Sequence, residues 1–420
     1  MMSENVEEML LEVPVQPPTD LFLPVSKKFL EEAYRNDEYV VLVGPQHPGS
    51  GHMRIILRIR GDIIVEAIPD PGYVHRSMEK LAENRLYIQN IPLFERPAIM
   101  DTGNMTLGYV RAIESALDIE VPERAKYIRT IIAELGRIGT HLYDAGILAI
   151  FLGHTTGFMW PFAIRELIVE ALTRISGTRI TASFLVPGGI RRDVPWETLE
   201  FVRKTTFAVE RRLKGFEKIF IRNPSVMARL QDVGVLTKEE AIKFGLVGPF
   251  LRASGVEYDV RKVEPYEAYD MLDWEVPVAD EGDSYSRFLV RVEEIAQSIS
   301  MVRQAINALK NIPEGNVISE DVLGEYRDVA SSDIRGYFYK VFGSIVPPAG
   351  EFTTLTEASR GSLLYTVVSD GESNVPYRVR IITPGWYYLK GFMESLRGER
   401  VADLQAIYGS FGYFPPEADR

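Results

Sequence analysis

The stretch VPERAKYIRTIIAELGRIGTHL, Val121 to Leu142, decides the fold class. Ile128, Ile131, Ile132, Leu135, Ile138 and Leu142 recur at spacings of three and four, the period of one buried helix face, and Pro122 suits the first turn. A second stripe on the same helix carries Glu134, Arg137 and His141 at i, i+3 and i+7. Two readings fit that stripe: a proton relay, or an ion-pair network between packed helices. The helical period extends outward from residue 76 to about residue 310, with further helices over about 162–176, 196–221 and 285–310. Thr237 to Glu240 fits a capping box that opens a short helix.

The period changes at both flanks. EYVVLVG (38–44), MRIILRIR (53–60) and DIIVEAIP (62–69) read as strands, the last two joined by a Gly61-Asp62 hairpin turn. GSLLYTVVSDGESNVPYRVRIITP (361–384) holds two more β-rich runs around a polar turn. The fold class is therefore α+β, a central helical bundle flanked by small antiparallel β-sheets. We divide the chain into an acidic, proline-interrupted N-terminal extension (1–36), a small β-sheet region (37–75), the bundle core (76–345) and a C-terminal α+β region (346–420).

Composition removes several function classes. With 46% hydrophobic and 25% charged residues the chain is globular, and its net charge of -12 argues against nucleic acid, whose phosphates need clustered Lys and Arg. The longest apolar run, Ala145 to Gly153, is too short for a membrane span, and the acidic N-terminus does not read as a signal peptide, so a cytoplasmic chain is expected. The sequence contains no cysteine, which excludes disulfides, thiolate catalysis and Cys-ligated metal sites.

Several short motifs need weighing. ERPAIMDTGN (95–104) contains the Asp-Thr-Gly of aspartic proteases, but a second opposed Asp and a β-rich body are missing. Helical spacing after Asn104 makes DTGN a turn before a helix, with Asp101 a cap or a polar lining residue. HPGSGH places His47 and His52 five apart on a Gly-rich loop without a third metal ligand nearby. Such a loop can instead offer an imidazole to a substrate in a cleft. Gly188-Gly189 is a turn, since it lacks the context of a nucleotide-binding loop.

Taken together, GPQHPGSGH (44–52), GYVHRSMEKLAENRLYIQNIPLFER (72–96), LRASGVEYDVRK (251–262), EASRGSLLYTVVSDG (357–371), VPYRVR (375–380) and the terminal ADR resemble the NuoD-type peripheral-arm subunit of respiratory complex I, the NADH-quinone oxidoreductase family, as a divergent prokaryotic or archaeal member. That family descends from the large subunit of nickel-iron hydrogenases, so the resemblance implies a hydrogenase large-subunit-like fold. It also implies a translocase subunit, active only within a hetero-oligomeric complex, on the cytoplasmic face of the membrane through its partners. Those partners would be a small iron-sulfur (NuoB-like) subunit holding the terminal [4Fe-4S] cluster, NuoC-like and NuoI-like subunits, and a membrane NuoH-like subunit. A quinone would be reduced in the cleft beside the iron-sulfur partner, coupled to ion pumping, with no cofactor bound by this chain.

The resemblance also assigns residues. The two hydrogenase Cys-x-x-Cys pairs fall on Ala98 and Asp101 and on Phe414 and Glu417, so no metal site is expected. Of the family's quinone residues, the Tyr is replaced by Ile99 and the Asp by Phe151, while the His loop places Gly51 or His52 at the third position. His52 is the surviving candidate donor, and Asp101 the candidate replacement acid. His47, Gly51, Ile99, Phe151 and Glu417 are expected to line the quinone cavity. Arg76 and Arg96 match cluster-side arginines, and Thr181 replaces the family His that makes the cluster potential pH-dependent. Two alternatives keep the architecture: a non-quinone acceptor, or a non-catalytic role in which the chain merely covers the iron-sulfur partner.

Overall fold

The structure is a computed structural model that describes residues 25–47, 50–323, 343, 345–412 and 414–420. At its centre lies the helix Glu123–Phe151, buried along nearly its whole length. Its apolar positions pack against the helices Thr155–Ser176 and Ser284–Ala308, and the helix Thr102–Leu117 closes another side. A helix covered on all faces should be apolar all round. This one instead buries the stripe Glu134, Arg137 and His141, extended by Asp144, and each charge must find a partner inside the protein.

Two helices differ from the sequence reading for local reasons. The second bundle helix starts at Thr155, about two turns before the expected 162, because His154 caps it by accepting from the backbone N–H of Gly157. Pro161 then stands inside the helix, where its missing N–H costs one hydrogen bond. The helix Trp196–Phe216 passes into a wider turn over Glu217–Ile221 before Asn223 caps the next helix. Thr237 and Glu240 form the reciprocal capping box anticipated at 237–240.

Among the described residues three small sheets surround the bundle. Strands β1 (Tyr39–Val43), β2 (Arg54–Arg60) and β3 (Ile63–Asp70) pair antiparallel in chain order, with the hairpin turn at Gly61-Asp62. Strands β4 (Leu185–Val186) and β5 (Gly189–Ile190) form a short hairpin, so the Gly188-Gly189 pair is a turn. Strands β6 (Gly350–Ala358), β7 (Gly361–Ser369) and β8 (Arg378–Ile382) form the third sheet. The alternating threonines of β6, TTLT, carry the β signal that the reading of two C-terminal runs passes over.

Residues 1–24 of the expected N-terminal extension lie outside the described residues. The rest of that segment is the helix Lys27–Arg35, capped by Ser26, whose buried Phe29 lies under the Arg58 guanidinium of β2 at 5.2 Å. Among the described residues no helix is long and apolar enough to cross a membrane.

The hairpin between β6 and β7 positions the site. Ala358 pairs with Gly361, so the turn consists of Ser359 and Arg360 alone. Turns normally sit in water, yet both residues are buried here. The carbonyls of Glu357 and Ala358 accept from the Arg137 guanidinium at 2.8 and 2.9 Å, and the Ser359 N–H donates to the Asp101 carboxylate at 2.6 Å. Gly248 makes room for the turn: at φ +62°, a Cβ there would meet the Arg360 carbonyl oxygen and Gly361 Cα at 2.4 Å.

Candidate functional site

The segment Glu95–Asn104 and the C-terminal helix Pro415–Asp419 are brought together by arginine. Arg76 donates to the carbonyl of Arg96 at 3.0 Å and to that of Pro416 at 3.3 Å, so the two expected cluster-side arginines stand side by side, Arg96 exposed and Arg76 half-buried. Burial, and next the neighbouring Arg96 charge against the pull of Asp419, hold the Arg76 guanidinium below its usual proton affinity. The Asp419 carboxylate fixes the approach from the other side by accepting the N–H groups of Gly72 and Val74.

Asp101 opens the helix Thr102–Leu117 but does not cap it. Its carboxylate accepts from the Asn104 side-chain amide at 2.6 Å and from the Ser359 N–H, leaving no bond to the helix's own N–H groups. The capping reading of DTGN therefore gives way to a buried lining acid. At 1% exposure, burial pushes the Asp101 carboxyl up, against the pull of Arg137 and its two hydrogen bonds. Ile99, just before it, is 45% exposed, while Ala98 between Pro97 and Ile99 is buried.

Glu417 lies behind the same segment. Arg360 bridges it to Asp144, at 2.5 Å to Glu417 and 2.7 Å to Asp144, and the Gly385 N–H donates to its other oxygen. Burial raises the Glu417 carboxyl to about 7, and the charges of Asp101 and Asp144 add to this against Arg360. Asp144 goes the other way, held below the usual carboxylate range by Arg360 and Arg291 despite its burial.

From here a network of buried ions continues through the bundle. Glu134 pairs with Arg137 and, at 3.1 Å, with Arg261, which holds Asp259 at 2.6 Å. Arg252 then joins Asp259 at 3.3 Å, Glu357 at 3.0 Å and Glu294 at 2.5 Å. Glu294 faces His141 Nε2 at 2.7 Å. Burial pushes the His141 imidazole below its ordinary value, so it is neutral and donates to an ionised Glu294. The stripe Glu134, Arg137 and His141 is thus an ion-pair network between packed helices. Burial and the nearby Asp259 raise Glu357 to about 7, against Arg252.

The remaining expected residues stand on other elements. His47 and His52 are exposed on the Gly-rich loop, His52 at φ +76°, and Gly51 between them is buried. That left-handed backbone is uncommon for a residue with a side chain. Phe151 ends the long helix and packs against Tyr408 with ring centroids 5.5 Å apart, in the apolar cluster that includes Met53 beside His52. Thr181, at φ +52°, lines a pocket of about 40 Å³ together with Glu95 and Met100. The described contacts bring Asp101, Glu417, Arg76 and Arg96 to one region and give no link from Asp101 to His52. Among the described residues no group of three or more His, Cys, Asp or Glu side chains could hold a metal ion.

Asp144, Arg360, Glu357, Arg252 and Glu294 are absent from the sequence reading of the site. Asp144 continues the 134, 137, 141 stripe at the same helical spacing and was within reach of that argument. Arg360 and Glu357 lie in the EASRG segment, whose turn gives no local sign that it is buried.

Comparison with known proteins agrees with this architecture. Residues 152–420 match the family described as the respiratory-chain NADH dehydrogenase 49 kDa subunit. The D-type subunit of NADH-quinone oxidoreductase from Desulforamulus reducens is 38% identical over 386 residues, covering 92% of this chain and 99% of that protein. The mitochondrial NADH-ubiquinone oxidoreductase 49 kDa subunit of Neurospora crassa is 36% identical, over 91% of this chain and 80% of its own length. A C/D-type NADH-quinone oxidoreductase subunit from Aquifex aeolicus is 38% identical over 91% of this chain and 66% of its own. Among solved structures, a chain of the archaeal membrane-bound sulfane sulfur reductase superposes with a TM-score of 0.83 at 35% identity, over 91% of this chain and 98% of that one. With the family match over residues 152–420 and relatives aligned over nine-tenths of its length, the chain belongs to the 49 kDa subunit family of respiratory-chain NADH dehydrogenases.

Proposed function

We propose that this chain, with an iron-sulfur partner subunit, forms the place where a membrane-associated respiratory oxidoreductase reduces its terminal acceptor, and that the acceptor is a quinone. The observation that carries this reading is the pair of cations Arg76 and Arg96, anchored on each other and on Pro416, with the buried acids Asp101 and Glu417 directly behind. Fixed positive charge beside an iron-sulfur cluster favours its reduced form and raises its potential. An acceptor taking two electrons then needs donors where negative charge develops on its oxygens and acids to complete the reduction. His52 supplies a donor from an exposed loop, and Asp101 is the acid nearest Ile99.

The small iron-sulfur subunit would sit against the Arg76 and Arg96 face. NuoC-like, NuoI-like and membrane NuoH-like subunits complete the assembly on the cytoplasmic side of the membrane, and ion translocation takes place in the membrane arm. The C/D-type relative supports the NuoC-like neighbour.

A second reading, a sulfane-sulfur acceptor, draws on Ile99 and Phe151. The first is exposed and bears no hydroxyl, and the second is packed on Tyr408, so neither can polarise a quinone carbonyl. Turnover of the purified complex with a short-chain quinone analogue and, separately, with polysulfide distinguishes the two. Quinone turnover that falls about 100-fold in His52→Ala supports the first reading, that being the scale of a lost proton or hydrogen-bond donor. Turnover with polysulfide alone replaces it with the second, and turnover with neither leaves a structural role.

A further inference from the structure

The buried network has an excess of acids that its function must accommodate. Among the described residues it contains seven carboxyl groups: Asp101, Glu134, Asp144, Asp259, Glu294, Glu357 and Glu417. Against them stand five guanidiniums: Arg137, Arg252, Arg261, Arg291 and Arg360. Every one of these twelve side chains is at most 3% exposed. His141 is neutral, and Arg287 with Asp283, one helical turn from Arg291, adds one charge of each sign. Fully ionised, the network would bury two uncompensated negative charges. The desolvation cost of an unpaired buried charge is several kcal/mol each, so such charges are neutralised by protonation instead.

From this imbalance we infer that the interior of the bundle holds two exchangeable protons at neutral pH and delivers them to the acceptor reduced beside Asp101 and Glu417. The inference rests on the proposed acceptor-reducing role, but it is indifferent to which acceptor is reduced. Two electrons from the iron-sulfur partner and two protons from the network convert both carbonyls of a quinone to hydroxyls. The same electrons and protons split a sulfur–sulfur bond into two thiols. The network is then refilled from solvent.

The placement of the acids supports the assignment. Glu134, Asp144, Asp259 and Glu294 each face at least one guanidinium in direct ion pairing and are held below the usual carboxylate range. Glu357 and Glu417 each meet one guanidinium too, of Arg252 and Arg360, yet with Asp101 they are raised, the two glutamates to about 7, and these three share the protons. All three meet at the β6–β7 turn: Glu357 is the last residue but one of β6, Ser359 binds Asp101 and Arg360 binds Glu417.

A route through ordered water is also marked. Arg291 Nε and Nη2, His141 Nδ1 and the Tyr388 hydroxyl are buried without a hydrogen-bond partner among the described residues. Among the described residues Arg291 faces Asp144, at 3.8 Å, and the ring of Phe250. Orphaned buried groups of this kind are where bridging water binds, and His141 faces Glu294 while Arg291 faces Asp144.

Difference infrared spectroscopy on the assembled complex tests this. In the resting enzyme near neutral pH, protonated carboxyl bands that shift in D₂O are expected. Glu357→Gln and Glu417→Gln should each weaken them, because each takes one acid from the count and leaves one uncompensated charge instead of two. The bands should fade when the complex reduces acceptor in a single turnover. Absence of any D₂O-sensitive carboxyl band in the unmodified complex overturns the inference whether or not the variants assemble. So do bands that ignore both glutamate substitutions, or that stay constant with every acceptor. Bands that fade with polysulfide but not with a quinone uphold the proton supply and refute the quinone reading alone.

Discussion

Glu417→Gln offers the most direct measure of what the buried acids cost the fold. In the native chain Glu417 binds its proton until about pH 7, whereas an unfolded glutamate releases it near 4.5. Below the unfolded value both states are protonated and the group contributes nothing. As pH rises from there toward 7 the unfolded chain ionises first, so native stability falls, and above the folded value the loss is complete. A gap of that size corresponds to about 3 kcal/mol at 1.36 kcal/mol per unit, of which about 2.5 kcal/mol lies between pH 5 and pH 8.

Glutamine keeps the size and the contact to Arg360 but has no proton to lose. The variant's urea midpoint, converted with a common m value, should therefore fall less steeply than the parent's over that interval, by about 2.5 kcal/mol. The absolute stability of the variant at one pH is not diagnostic, because the Arg360 contact changes strength too. Parallel pH profiles for the two proteins would refute the reasoning, since they would mean that Glu417 is as readily ionised inside the protein as outside it.

Two further outcomes test other parts of the architecture. Gly248→Ala should destabilise the chain by about 2–4 kcal/mol in the same assay, since a Cβ at a positive φ adds roughly 1 kcal/mol to the clash with the Arg360–Gly361 backbone. If Thr181 stands, as the resemblance implies, where the family carries a titrating His, redox titration of the iron-sulfur partner's terminal cluster in the intact complex should give a midpoint nearly independent of pH. A full proton-coupled slope would exclude that, and Arg96→Gln should lower the midpoint without changing the slope.

How much of this was legible in the sequence differs by element. The bundle was readable because Ile128 to Leu142 keep an unbroken helical period, and the first sheet because Gly61-Asp62 separates two β-rich runs. The start of the helix at Thr155 was hidden by Pro161, whose usual meaning is a boundary and which here lies within the helix. The resemblance identified the positions Ala98, Asp101 and Glu417. The chemistry of the two acids depends on one buried turn, whose Ser359 reaches Asp101 from about 260 residues away in sequence and whose Arg360 binds Glu417. No local pattern announces that a two-residue turn will be pressed into a core, because the same residues would serve equally well in water. Charge pairing across such distances is a property of the assembled fold, and only the stripe 134, 137, 141, 144 exposes part of it in advance.

That turn also restricts how the protein can diversify. Loops are ordinarily where insertions accumulate and specificity changes, because lengthening them disturbs little else. The Ser359-Arg360 turn has no spare residue, and its neighbours Gly248 and Gly361 have no spare volume. A single inserted residue would withdraw the guanidinium from Asp144 and Glu417 together. On the proposed reading, changes in acceptor preference are therefore easier to accommodate at the exposed side chains of Ile99 and His52 than at this turn.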